Sequence, residues 1–449
     1  DVTASGGAGT STDVDGTLDG DLTNTASGTA DIAGAVTGTT ENATGGIVLL
    51  RRGATTGSLV NRIDASAEVN GDVDRDLVNS GDMALSGDVG GTITNNGTGD
   101  LTIDSSLRAG GATINTSTAT LTIGDGVTLA TPTLFNRQQG EVEIRGDLDG
   151  GFDGAGASTT MLIGAEITGD ATLSDSATLN AAGASAVGGD LDNGGNLRVL
   201  GGTFGIAGAA TNSGAVIVND GAILAAGLLE STAGGRLDVT GTLAGSASGI
   251  GADIDVAGRV NGSVIARSGT TLTVRRGGAV GGNVTAVSSA VIVQDPSGTP
   301  ATAAIAGAGT IEGDLTTIDS TVFIDGNIGG NADITGGDLT LSGDVAGDLT
   351  VTGTELAVTG ASVVGGAVTS DDALDLDDTL SVGSLRIDGA FDLAQGAALR
   401  GGPAVIGGTS TLNAGAIAND ITFGGDVTTA PGLSLAGDVT NNGDFMLGN

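Results

Sequence analysis

One short phrase, Gly-Asp-(Leu/Val)-Thr with close variants, restarts along the chain at intervals of 16 to 20 residues, and this repeat constrains the fold more than any other feature. The stretch GGDLTLSGDVAGDLTVTG, Gly336–Gly353, states it twice in succession. The opening glycines Gly313, Gly330, Gly347 and Gly366 are separated by 17, 17 and 19 residues. Gly169, Gly189 and Gly208 are separated by 20 and 19, Gly262 and Gly282 by 20, and Gly71 and Gly87 by 16. A period of this size marks supersecondary units that bury their apolar faces by stacking on one another.

Within each repeat the apolar residues alternate in short bursts, as in Leu339-Thr-Leu341, Leu349-Thr-Val351 and Leu101-Thr-Ile103. Alternation over three to five residues, bounded by Gly, Asn and Asp, is a strand pattern. Helix signals are thin, because Glu is scarce, Lys is absent and Gly rarely leaves ten residues uninterrupted. The expected fold is all-β: one continuous β-solenoid over residues 1–449, with about three short strands per coil of 16–20 residues. At roughly 4.8 Å per rung this gives about two dozen coils and a rod on the order of 120 Å long. The phrase reads as a corner followed by a strand entry. Gly would supply positive φ at the corner, and the neighbouring Asp or Asn would cap the turn.

Stacked coils place like residues one rung apart. Asp314, Asn331, Asp348 and Ala367 follow four successive corner glycines, so charge falls on alternate rungs there. Asp170 and Asp190 are successive, as are Asp72 and Asp88. Like charges at this spacing repel, and bound cations or outward splaying would relieve them. Three segments break the rhythm: Thr40–Asp64, with GIVLLRRG; Phe135–Gly146, FNRQQGEVEIRG; and Gln294–Gly309, which holds two prolines and stretches the step from Gly282 to Gly313 to 31 residues. The first two read as irregular segments and the third as an inserted loop, the kind of place where solenoids carry binding features.

Composition excludes several classes of function. The formal charge of −38 opposes nucleic-acid and anionic-membrane partners and favours solubility and divalent cations. No apolar run approaches the length of a transmembrane helix. Disorder fits poorly, since 39% of residues are hydrophobic and only five are Pro. Without His or Cys, His-based nucleophilic triads and Cys/His zinc sites are ruled out. A carboxylate pair could support glycoside chemistry, but Trp and Tyr, the usual sugar platforms, are absent and the seven Phe are scattered.

No catalytic, cofactor-binding or metal site is therefore assigned to particular residues. The cluster Asp371-Asp372, Asp375 and Asp377-Asp378 could take Ca²⁺ on acidic corners, although a solvated acidic face is the commoner arrangement. Arg51-Arg52 and Arg275-Arg276 are expected to form surface ion pairs. The sequons at Asn42, Asn96, Asn115, Asn261 and Asn283 fit chance in so Asn- and Thr-rich a chain. Thr271-Leu-Thr273 has the form of an ice-binding Thr-x-Thr unit but does not recur at one place in successive coils.

The repeats, the GDVTNNGD ending and the Lys-free, Cys-free composition resemble the β-helical passenger regions of Gram-negative autotransporter adhesins and related large surface-exposed repeat proteins. The composition also resembles that of bacterial surface-layer proteins, without their calcium nonapeptides. The resemblance implies secretion, display at the cell surface, and roles in adhesion, biofilm or fibre formation. It departs from autotransporters in lacking their aromatic-rich translocator barrel.

The leading expectation is a non-enzymatic extracellular structural rod. Neither end of the sequence carries a polar or helical cap, so copies are expected to stack head to tail as a filament or matrix subunit. The partners expected are the protein itself and a cell-surface or matrix polysaccharide. The alternatives are an adhesin passenger acting as a binding module and, behind it, a polysaccharide-cleaving β-helix enzyme.

Overall fold

The computed structural model describes residues 1–5, 10–25, 27–293 and 309–448. Among them every regular element is a β-strand, sixty in all, and no helix is long and apolar enough to cross a membrane. The chain forms two compact units, Asp1–Gly227 and Leu228–Asn449. Each is a parallel β-solenoid of three faces.

In the first unit, the first face begins with Val2–Ser5 and climbs through Leu22–Thr25 and successive partners to Ala210–Asn212, twelve strands in parallel register. The second face runs from Ser11–Val14 to Ala215–Val218, and the third from Thr17–Leu18 to Ala222–Ala225. The second unit repeats this order. Its first face runs from Leu228–Ser231 to Val439–Asn441, again twelve strands. Its second face runs from Arg236–Val239 to Phe445–Leu447, and its third from Thr242–Leu243 to Ser434–Leu435.

Alternation explains the core. In Leu349–Thr352 the side chains of Leu349 and Val351 are buried while those of the two threonines lie outside, and most strands repeat this two-residue rhythm. The interior consists of slim columns of Leu, Val, Ile and Ala, with Phe204, Phe391 and Phe423 among the largest enclosed side chains. Narrow cores of this kind leave no place for bulkier aromatics.

The drifting period has a mechanical cause. Registers within a face stay exact in pairing, while extra residues are taken up where one face turns into the next. The register shifts fall between Val36 and Thr39, Ala130 and Thr133, Ala181 and Ala182, and Val364 and Ala367.

The segments that break the sequence rhythm can be placed against these ladders. Within 40–64, Ile47–Leu50 pairs in register with Thr29–Ile32 and with Ser66–Val69, and Thr55–Asn61 joins two faces. Within 135–146, Phe135 and Asn136 end the strand Thr128–Asn136, and Glu141–Ile144 pairs with both neighbouring rungs. The expected loop at 294–309 lies outside the described residues except for Gly309. Its flanks are in register: Val284 pairs with Leu315 and Ala290 with Thr321, 31 residues apart.

Candidate functional site

At Gly169, Gly189, Gly313, Gly330, Gly347 and Gly366 the corner phrase lies where the third face turns into the first, whereas Gly71-Asp72 and Gly87-Asp88 lie where the second turns into the third. The glycines of the third-to-first corner stack with direct backbone hydrogen bonds: the amide of Gly330 donates to the Gly313 carbonyl (3.1 Å), Gly347 to Gly330 (3.0 Å) and Gly366 to Gly347 (3.0 Å). None of these glycines has positive φ, which corrects the expectation drawn from the sequence. Left-handed residues gather mainly at the other two turns, with Gly97, Ser117, Gln138 and Gly156 following one another between the first and second faces and Gly53, Gly126 and Gly221 lying between the second and third; at the third-to-first corner Gly20 and Gly150 do have positive φ. The corner glycines are needed for space. A Cβ on Gly347 would run into Asn331 Oδ1 and the Gly330 carbonyl of the rung before, and one on Gly366 would meet Asp348 Oδ1.

The cleared space is filled by the acidic side chain. Asp314 Oδ1 accepts the backbone amide of Asn331 (2.8 Å), Asn331 Oδ1 that of Asp348 (2.9 Å), and Asp348 Oδ1 that of Ala367 (2.8 Å). The successive aspartates behave alike. Asp170 accepts the Asp190 amide (2.9 Å) and Asp72 the Asp88 amide (3.1 Å). Like charges one rung apart are thus offset in part by charge-assisted hydrogen bonds to the next coil, which hold the side chains against it rather than splayed outward. Each side chain caps the coil after its own.

A second column was not anticipated. On the first face of the first unit, Asn24, Asn42, Asn61, Asn79, Asn95, Asn115 and Asn136 occupy one inward position on seven consecutive rungs, all with no exposed surface. Each Nδ2 donates to the next Oδ1, at 2.8, 2.8, 2.8, 2.9, 2.9 and 3.2 Å in order. The same amide hydrogens are shared with backbone carbonyls at the turn: Asn42 reaches Gly46 (3.2 Å) and Ser66 (2.9 Å), and Asn95 reaches Gly99 (3.1 Å) and Thr120 (2.7 Å). Parallel, in-register strands allow such ladders because equal side chains face one another. Buried amides would otherwise carry a desolvation penalty.

The ladder stops where the rungs carry Gly154 and Leu173, then resumes as Asn193 to Asn212 (2.8 Å). Oδ1 of Asn24 and of Asn193, the first in each run, accept no hydrogen bond among the described residues. The sequence did hold a signal for this column, the recurring apolar-x-Asn triplets Leu22-Thr-Asn24, Leu59-Val-Asn61, Leu77-Val-Asn79 and Ile93-Thr-Asn95. The ladder also accounts for two sequons, since Asn42 and Asn115 are buried members of it, while Asn283 caps the amide of Asp314 (3.0 Å).

The charged candidates take up structural roles. Arg51 pairs with Asp31 through two bonds of 2.7 Å, and Arg275 with Asp255 (2.6 Å), as expected for surface ion pairs. Hydrogen bonding to Arg51 holds Asp31 below the ordinary carboxylate range. Asp238 and Asp255 are register partners on adjacent rungs, and Arg236 (2.8 Å to Asp238) together with Arg275 encloses the pair. Arg137 bridges to Asp153 with two bonds of 2.7 Å and lies over the Phe135 ring, 4.7 Å from its centre, a cation–π contact.

In the acidic cluster, Asp371 accepts the Gly353 amide (2.7 Å), Asp372 that of Ala373 (2.9 Å) and Asp378 that of Thr379 (2.6 Å). Asp375 stacks in register with Asp392; burial first, then Asp377, Asp392 and Glu355, push its carboxyl up. Among the described residues no group of three or more His, Cys, Asp or Glu is placed to hold a metal ion. Thr271 and Thr273 have Asp253 and Asp255 before them and Ala290 and Ile292 after them, so no threonine array forms there. On the second face of the second unit, Ile292, Phe323 and Thr340 stack outward beside Asp325, Ser342 and Thr359, lining an open hollow of about 440 Å³.

These features define a parallel β-solenoid stabilised by side-chain ladders. No protein-family model matches the chain, and no curated protein is significantly similar to it in sequence.

Proposed function

We propose that the protein is a non-enzymatic structural component of the extracellular surface, a solenoid subunit that stacks head to tail with further copies of itself into a filament or matrix. One observation carries this reading. On the last described rung of the second unit, Leu435, Val439, Phe445 and Leu447 are 37, 40, 38 and 74% exposed. Their register partners one rung earlier, Ile417, Ile421, Val427 and Thr429, are buried. Asn441 Oδ1 on the same rung also has no partner among the described residues.

A further rung would bury these side chains, each worth about 1.5–3 kcal/mol when fully enclosed. More of the same chain would cover them equally well; in the filament reading a second copy supplies the rung through a heterologous contact, which propagates. The acidic surface suits exposure to solvent and keeps neighbouring filaments apart. Calcium on the acidic corners would reduce that repulsion, and matrix polysaccharide is the second partner consistent with a surface rich in Asp, Thr and Ser.

The test is electron microscopy with sedimentation of the purified protein over a concentration series, with and without Ca²⁺. Linear fibres are expected, and Val439→Asp with Phe445→Asp should shorten or abolish them. Dispersed monomers under every condition, or fibres indifferent to both substitutions, overturn the filament reading.

A further inference from the structure

We draw no further inference here: the strongest candidate, the open hollow over Ile292 and Phe323 on the second face of the second unit, is an unpartnered apolar face, and nothing in the structure shows what covers it.

Discussion

The two units solve one packing problem with different chemistry. On the first face of the first unit, the third strand position is Asn on seven rungs in a row. The corresponding position of the second unit carries Thr317, Ile334, Val351, Ser370, Ile387, Ile406 and Phe423 on consecutive rungs, all buried. An aliphatic column is non-directional and tolerates varied shapes. An amide column is selective, because each member is both donor to the next and acceptor from the last. What the contrast teaches is that the coil itself is permissive, and that register can be enforced by an internal hydrogen-bond chain or left to the outer ladders.

Reciprocal substitutions are the most direct way to break this comparison. Asn79→Val removes the donor to Asn95 and the acceptor for Asn61; leaving buried polar groups unpaired costs about 1–3 kcal/mol each. Val351→Asn introduces a lone amide between Ile334 and Ser370, with a cost of about 1–3 kcal/mol in protein interiors. Hydrogen-exchange mass spectrometry on the full chain reads each unit separately, and each substitution should lower protection in its own unit. If Asn79→Val were neutral, the ladder would be ornament rather than support.

Corner substitutions sharpen the comparison by testing what the units share. Gly189→Ala in the first and Gly347→Ala in the second should be similarly destabilising, by about 1–3 kcal/mol as for overpacking, because both added methyl groups meet the preceding Asp or Asn cap. Unequal costs would show that the corner is not one device used twice. Asp170→Ala removes a cap and should cost about 1 kcal/mol, whereas Asp170→Asn retains the acceptor and should be nearly silent in urea unfolding. Asn331 already plays that part in the second unit.

The smallest effects concern pH. Asp31 has a lowered pKa, so its contribution is present above the unfolded value and is lost as pH falls through the lower folded one. Arg51→Gln should remove that acid dependence from the first unit at little cost to stability, as for exposed pairs. Asp375 has the opposite sign. Its raised pKa means the native state holds the proton more tightly, so stability falls as pH rises through the window between the unfolded and folded values. Asp375→Asn should therefore stabilise the second unit slightly at neutral pH and make no difference in acid, as followed by thermal unfolding at a series of pH values.

Much of this architecture is legible in the sequence because strands advertise themselves locally. Leu339-Thr-Leu341 needs no partner to be read as a strand, and the spacing of Gly313, Gly330, Gly347 and Gly366 does mark successive rungs. The roles that depend on a neighbouring coil are harder to read. Gly347 looks like a turn glycine until Asn331 is seen filling the space beside it. Asn79 looks like a loop residue until Asn61 and Asn95 are found above and below, 18 and 16 residues away along the chain. The ladder steps vary from 16 to 21 residues, so no fixed period aligns the column. Local chemistry was visible; vertical chemistry required the register.

The uniform members of the amide chain carry an evolutionary consequence. Asn61 cannot distinguish Asn79 from Asn95, since either would present the same oxygen at the same height. Excising the coil between them would leave this column without a mismatch, and duplicating it would do the same. Within this run of seven rungs the solenoid can be lengthened or shortened in integral turns with its amide chain unbroken.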